Sequence, residues 1–196
     1  MYEIPAPLRQ SDPTLRYQPV FELAKPEIQR AIRIGPQVVS YHQVSPYVGW
    51  DKFKPELDET IDGLFAKADG PTVRRLGLRY MNALRRDVHG IPSISDLDLR
   101  LTIAGEMVSG NVNVNFTTGT PDDTECTVRI ATPEFVQGNL PANTSVYVDV
   151  DVFTKEGFRT KDQSVVKEWV ESAHKTEKEH FFRLLTNQSI ESLKEN

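Results

Sequence analysis

The chain has 196 residues, of which 38% are hydrophobic and 26% charged, with a formal net charge of −5 and a single cysteine. This length and composition are typical of a globular domain that buries a core without metals or disulfides, and they exclude a disordered chain. The negative charge disfavours nucleic acid and anionic membranes as partners, while the lone Cys126 fits a reducing compartment.

The N-terminal 26 residues contain prolines at positions 5, 7, 13, 19 and 26. Because proline disfavours a regular helix, we predict a proline-rich N-terminal arm over residues 1–26 that lies on the domain or on a partner. No apolar run of a signal peptide occurs in the first ten residues, so a cytoplasmic protein is the expectation.

A single α+β domain is predicted over residues 27–196. Ile32 and Ile34 alternate with polar residues, Gly35 and Pro36 form a turn signal, and residues 38–44 continue with aromatic and β-branched side chains. This pattern predicts a β-hairpin.

A helix follows the hairpin. Its apolar side chains recur at three- and four-residue spacing, at Phe53, Leu57, Ile61, Leu64 and Phe65. We expect Asp51 to cap this helix and its apolar stripe to cover a sheet.

Further strands are predicted wherever apolar and polar residues alternate strictly. Five such runs follow the helix, at residues 75–80, 97–103, 111–116, 125–130 and 146–152. Strict alternation predicts antiparallel strands with one buried and one wetter face. A long helix from about residue 162 to 185 and a short one near 189–194 complete the chain.

The predicted fold is therefore one antiparallel sheet of six to seven strands with two main helices packed on one face. Exposed edges of such a sheet favour pairing with a second copy or with a protein partner.

The polar face of the predicted sheet is the first candidate site. It displays arginines and acids that could hold phosphate oxygens and a divalent ion, namely Arg79, Arg100, Arg129, Asp149 and Asp151. The simpler interpretation is a solvated face with cross-strand ion pairs, and the Glu-x-Glu-x-Lys strand signature of triphosphate tunnel enzymes does not occur in the sequence.

The C-terminal helix carries His174, Glu177 and His180, residue types that bind zinc. Histidines six positions apart project from different sides of a helix, so we predict no metal site and no cofactor. Glu177 falls within the apolar stripe and needs a partner, for which an arginine of the sheet such as Arg79 is the natural choice.

Catalytic motifs give no candidate residues. The sequence contains no nucleophile elbow and no phosphate-binding glycine loop with its lysine, and Cys126 lies in the middle of a predicted strand. Nucleic-acid binding through Arg74, Arg75, Arg85 and Arg86 is a weaker alternative that requires a steep salt dependence.

Two sequence stretches are similar to a known family. The segment Arg75-Leu-Gly-Leu-Arg-Tyr-Met-Asn82 resembles the Arg-x-Gly-Leu-Arg-Tyr-x-Asn core of a sporadically distributed bacterial family of uncharacterised proteins, and Trp169, His174, Glu177 and Phe181-Phe182 resemble its C-terminal helix. The resemblance implies a prokaryotic protein of a defence or toxin–antitoxin type system, but it transfers no catalytic residue. The region before Glu27 is shorter here than in family members.

Two functions follow as hypotheses. The first is a non-enzymatic binding or accessory protein, homo-oligomeric or bound to a protein partner. The second is a protein that binds or hydrolyses a phosphate-rich ligand through the five polar-face residues. Under either hypothesis we predict Glu177, Arg75 and Asn82 as structural polar residues.

Overall fold

The computed structural model describes residues 5, 7, 11, 12, 15, 17–44, 46–108, 110–120 and 124–194. The chain divides into two compact units, Met1–Gly70 and Pro71–Asn196. Much of the predicted N-terminal arm lies outside the described residues. Near its end, Phe21–Lys25 forms a strand, so this part of the arm belongs to a sheet.

The first unit contains a three-stranded antiparallel sheet in the order β1-β2-β3 and one long helix. The elements are β1 (Phe21–Lys25), β2 (Arg30–Gly35), β3 (Val38–Gln43) and α1 (Trp50–Lys67). The predicted hairpin and helix are both confirmed. Asp51 was expected as the cap, but Gly49, two residues earlier, occupies the cap position without a side-chain hydrogen bond, and the helix begins at Trp50.

The second unit is built on a four-stranded antiparallel sheet in the order β4-β9-β8-β7. Its strands are β4 (Gly77–Arg85), β7 (Asn113–Gly119), β8 (Thr124–Ala131) and β9 (Thr144–Thr154), and a separate small hairpin consists of β5 (Thr102–Ile103) and β6 (Glu106–Met107). The helices are α2 (Arg86–His89), α3 (Gln163–Arg183) and α4 (Asn187–Lys194).

The core of the second unit lies between α3 and the sheet. Val146, Val148, Val150 and Val152 of β9 are fully buried. Alternating positions of a strand point to opposite faces, so these four valines share the face on which α3 lies. From α3, the side chains of Val166, Val170, Ala173 and Glu177 are buried at helical spacing.

The predicted single sheet of six to seven strands is wrong in its number of sheets. The α+β class and the antiparallel pairing are confirmed, but the strands form one four-stranded sheet and two smaller ones. The two long helices also do not share a sheet face, since α1 lies against β3 and α3 lies against β9, β4 and β8.

One predicted strand, residues 97–103, is mostly not a strand. Its buried Leu97 bridges Leu185, and the backbone N–H of Asp98 donates to the carbonyl of Leu184. The start of this segment therefore bonds to the residues that follow α3 and not to a neighbouring strand of the sheet. Within the segment, only Thr102–Ile103 forms a strand, which pairs with β6.

Candidate binding surfaces

The four-stranded sheet has a polar face, which we define as its side chains that point away from α3. The strand register places these side chains in two neighbouring rows, Arg79–Asp151–Thr127–Thr117 and Met81–Asp149–Arg129–Asn115. Four of the five predicted ligand residues, Arg79, Arg129, Asp149 and Asp151, therefore come together on one face. The fifth, Arg100, is exposed in an irregular segment outside the sheet and does not join them.

Arg79 and Asp149 form a two-pronged ion pair across strands β4 and β9. Arg79 Nε donates to Asp149 Oδ1 at 2.8 Å, and Nη2 donates to Oδ2 at 2.5 Å. The hydroxyl of Tyr147 donates to the same carboxylate at 3.3 Å. Asp149 is only 4% exposed, so Arg79 supplies the countercharge that a buried carboxylate requires. This hydrogen bond raises the pKa of Arg79 above its ordinary value.

Arg129 is also held by internal partners. Its Nε donates to Asn113 Oδ1 at 3.0 Å, and its Nη2 donates to the backbone carbonyl of Phe135 at 2.7 Å. The guanidinium lies 5.8 Å from the centre of the Tyr147 ring. Both arginines of the polar face therefore already satisfy several of their donors within the protein.

Asp151 is the second carboxylate of the polar face. Burial raises its pKa, while the nearby Arg79 and Arg75 oppose that shift. Arg75 itself stacks on the ring of Phe153 at 5.0 Å. Acids and arginines alternate on the polar face, so their ion pairs link neighbouring strands. An external anion could be bound only by the guanidinium N–H groups that these internal contacts leave over.

The part of the chain that the structure describes contains no cluster of metal-binding side chains. Within those residues, no group of three or more His, Cys, Asp or Glu side chains is placed to hold a metal ion. Cys126 is fully buried in β8, and burial raises the pKa of its thiol to about 11.

Glu177 lies on the opposite side of the sheet from the polar face. It is 5% exposed, and its Oε2 lies 3.7 Å from His174 Nδ1. The predicted pairing of Glu177 with Arg79 is wrong, because strand alternation directs Arg79 away from α3 and onto Asp149. Burial raises the pKa of Glu177 to about 7 and lowers that of His174, so both groups are driven towards their neutral forms.

The other two predicted structural residues lie on β4 or just before it. Asn82 Nδ2 donates to the carbonyl of Val148 at 3.5 Å, across the β4–β9 pairing. Arg75 makes the stacking contact with Phe153 already described. Their role as structural residues stays a prediction.

The first unit carries a second surface that the sequence interpretation missed. Its register joins Phe21–Ile34–Val39 and Leu23–Ile32–Tyr41 in two apolar cross-strand rows. We call these six side chains the apolar strip. The signal was present in the alternation of Phe21-Glu-Leu23-Ala-Lys25, but the surrounding prolines favoured an extended arm lying on the domain or on a partner over a strand of the sheet.

Helix α1 covers only one side of the apolar strip. The ring of Phe53 lies 5.3 Å from that of Tyr41, whose hydroxyl donates to Glu56 Oε2 at 2.6 Å. Glu56 also pairs with Arg30 of β2 at 2.5 Å, so α1 is attached to β2 as well as to β3. On the far strand, Phe21 and Leu23 remain 64% and 62% exposed.

Comparisons with known proteins add no relative: no family model, no curated protein and no solved structure matches this chain. The resemblance seen at residues 75–82 therefore stays a prediction. Within the described residues, no helix combines the length and the apolar character needed to cross a membrane.

Proposed function

We propose that this protein is a non-enzymatic protein-binding module that uses the apolar strip of its first unit to hold a partner. The observation that carries the proposal is the exposure of Phe21 and Leu23, which lie side by side on edge strand β1. Contiguous exposed apolar side chains mark interaction sites more often than isolated ones do.

The dimensions of the strip define the partner. A helix with its side chains is about 10 Å wide, and strands lie about 4.8 Å apart, so one helix covers about two strands. Helix α1 lies against β3. The most exposed part lies over β1, because Arg30 of β2 already pairs with Glu56 of α1, and Phe21 and Leu23 there can pack against one more helix with an apolar stripe. The partner element we propose is an amphipathic helix of another protein.

The energy available at this surface is sufficient for specific binding. Complete burial of a Phe or Leu side chain contributes about 1.5–3 kcal/mol, and about 1.4 kcal/mol corresponds to a tenfold change in affinity. Phe21 and Leu23 together therefore make a large part of the binding free energy. A role in prokaryotic defence or a toxin–antitoxin system is also part of the proposal, and it is supported only by the resemblance at residues 75–82.

The test uses a double variant of the strip, Phe21→Ser with Leu23→Ser. Affinity purification from the native host identifies a partner of the unaltered protein, and titration of the purified partner then gives the affinity. We expect the double variant to bind at least about tenfold more weakly.

Glu22→Ser is the matched control, because Glu22 lies between the two apolar residues on the opposite face and makes an exposed ion pair with Arg33. It should bind like the unaltered protein. Equal binding by the double variant, or equal loss with the control, contradicts the proposal.

The polar face supports a second candidate function, binding of a phosphate-rich ligand. The observation in its favour is the gathering of the exposed Arg79 and the half-buried Arg129 on one face of the sheet, beside Asp149. Calorimetric titration with inorganic triphosphate, with and without Mg²⁺, distinguishes the two functions. Binding that is lost in Arg129→Ala favours this candidate, whereas no heat of binding leaves the protein-binding module as the function.

A further inference from the structure

Strand β7 forms one open edge of the four-stranded sheet, and the backbone groups along this edge can be assigned. Thr120 N–H donates to the carbonyl of Thr124, and Thr132 N–H donates to the carbonyl of Val112. Both contacts belong to the same antiparallel register as the β7–β8 ladder. Even-numbered positions of β7 therefore bond to β8.

The odd-numbered residues of β7 direct their backbone groups away from β8. They are Asn113, Asn115, Thr117 and Gly119, and all four are exposed. Every second residue of an edge strand offers one N–H and one C=O outward, so this edge is a template for another strand.

The two edges of the sheet are protected to different degrees. Edge strand β4 carries Arg79 and Arg85 and has a register irregularity between Leu84 and Arg85. Such charges and bulges hinder the addition of a strand. Strand β7 contains no charged residue and no proline, and its pairing with β8 runs without a shift.

We propose that β7 pairs antiparallel with β7 of a second copy of this chain, joining two four-stranded sheets into one continuous sheet across a two-fold axis. The surface lies in the second unit and is distinct from the apolar strip. The proposal therefore goes beyond the binding function and does not depend on it.

The strand is self-complementary in the register that uses its full length. The midpoint of Asn113–Gly119 is Phe116, so a two-fold axis at Phe116 pairs Asn115 with Thr117 of the other copy and Asn113 with Gly119. All of these are outward-facing positions, and each such pair exchanges two hydrogen bonds.

Phe116 itself occupies a non-hydrogen-bonded position of this pairing. At such positions the two facing side chains of an antiparallel pair come closest. Its side chain is 39% exposed, so it is available to contact its symmetry mate. Aromatic pairs at such positions stabilise antiparallel strands. Because β7 is uncharged, the symmetric pairing brings no like charges together, and this favours a second copy as the occupant.

Light scattering over a wide range of protein concentration tests the dimer directly. We expect the mass to rise to twice the 22.2 kDa of one chain. Phe116→Lys places two like charges opposite each other at the axis, and Asn115→Pro removes an outward N–H without touching the bonds to β8. Both variants should remain monomeric at concentrations where the unaltered protein is dimeric.

Met81→Lys is the matched control, because it introduces the same charge at an exposed apolar residue of the opposite edge strand. It should dimerise normally. Thermal unfolding of every variant confirms that the fold is retained.

Amide hydrogen exchange followed by NMR gives a second readout that needs no substitution. Even-numbered amides of β7 should be protected at all concentrations, and the amides of Asn115 and Thr117 only at concentrations that give dimers. A monomer at every concentration, a dimer that survives both variants, or a dimer with unprotected odd amides overturns the proposal. Protection of these amides only when a different protein is added would assign the edge to that protein and equally overturn it.

Discussion

Asp149 and Arg79 are joined by two hydrogen bonds that run diagonally across the β4–β9 ladder, where the register places Asp149 opposite Met81. The carboxylate is nearly inaccessible to water, whereas the guanidinium side chain is 53% exposed. The negative charge of Asp149 therefore depends on Arg79 for hydrogen bonds and countercharge, whereas water can solvate Arg79 when Asp149 is absent. This asymmetry determines how each partner responds to substitution.

Arg79→Ala should destabilise the second unit by about 1–3 kcal/mol, because among the described residues it leaves the buried Asp149 carboxylate with the Tyr147 hydroxyl as its one remaining side-chain donor. Chemical denaturation measures the loss. Removal of Asp149 as well should restore part of it, so that the double-mutant cycle gives a favourable coupling energy. Arg74→Ala, at an exposed arginine just before β4, is the control and should change stability by less than about 0.5 kcal/mol.

Glu177 should make stability depend on pH. Its pKa is about 7 in the folded protein and 4.5 as an ordinary glutamate, so the folded state holds the proton more tightly. The stability that it contributes is fully present below about pH 4.5 and is lost as pH rises through about 7. Relative to the unaltered protein, Glu177→Gln should therefore gain about 2–3 kcal/mol between pH 4.5 and 8.

This comparison isolates Glu177 from its neighbours. His174 and Lys178 are charged or titratable groups beside it on α3, and Cys126 faces it from β8. All three are present in both proteins, so their own titrations largely cancel in the difference. Glu179→Gln, at an exposed position of the same helix, should show no such gain. A difference between Glu177→Gln and the unaltered protein that is independent of pH would contradict the assignment.

Cys126 should be unreactive in the folded protein. Burial raises the pKa of its thiol to about 11, which leaves little thiolate at neutral pH, and the side chain is inaccessible to a reagent. Ellman's reagent should label it only after denaturation, with one thiol per chain. Labelling of the native protein at the rate of the denatured protein would show that the reagent reaches the Cys126 thiol in the folded state, and would contradict its burial.

Tyr41→Phe should weaken the attachment of α1 to the three-stranded sheet. The change removes the hydrogen bond from the Tyr41 hydroxyl to Glu56 but leaves the Arg30–Glu56 ion pair and the ring contact with Phe53. We expect a loss of about 0.5–1.5 kcal/mol, visible as faster hydrogen exchange in β3. Tyr17→Phe, at an exposed tyrosine, is the control, and equal effects of both substitutions would argue against this contact.

The sequence predicted individual elements better than their arrangement. The alternation at 146–152 and 125–130 marks β9 and β8 correctly, because their apolar faces are buried by α3. Alternation reports which face is buried but not which strand lies alongside, and the single large sheet was wrong for that reason. Residues 97–103 alternate as well, yet they bury Leu97 against the end of the C-terminal helix instead of pairing as a strand.

The candidate surfaces were predictable to different extents. Strand alternation correctly grouped Arg79, Arg129, Asp149 and Asp151, but it could not show that Arg79 pairs with Asp149 rather than Glu177. Arg100 was wrongly placed on this face, because most of the predicted strand 97–103 that carries it is not a strand. The exposure of Phe21 and Leu23 depends on how far α1 extends over the sheet, which is a tertiary property that no local pattern encodes.

Site-specific photo-crosslinking in the native host tests the central claim most directly. Benzoylphenylalanine is introduced in place of Leu23 on the apolar strip and, in a second protein, in place of Glu22 on the opposite face of the same strand. We predict a discrete adduct with another protein from position 23 and none from position 22. Adducts from both positions, no adduct from position 23, or an adduct only with a second copy of this chain would contradict a partner-binding role for the apolar strip.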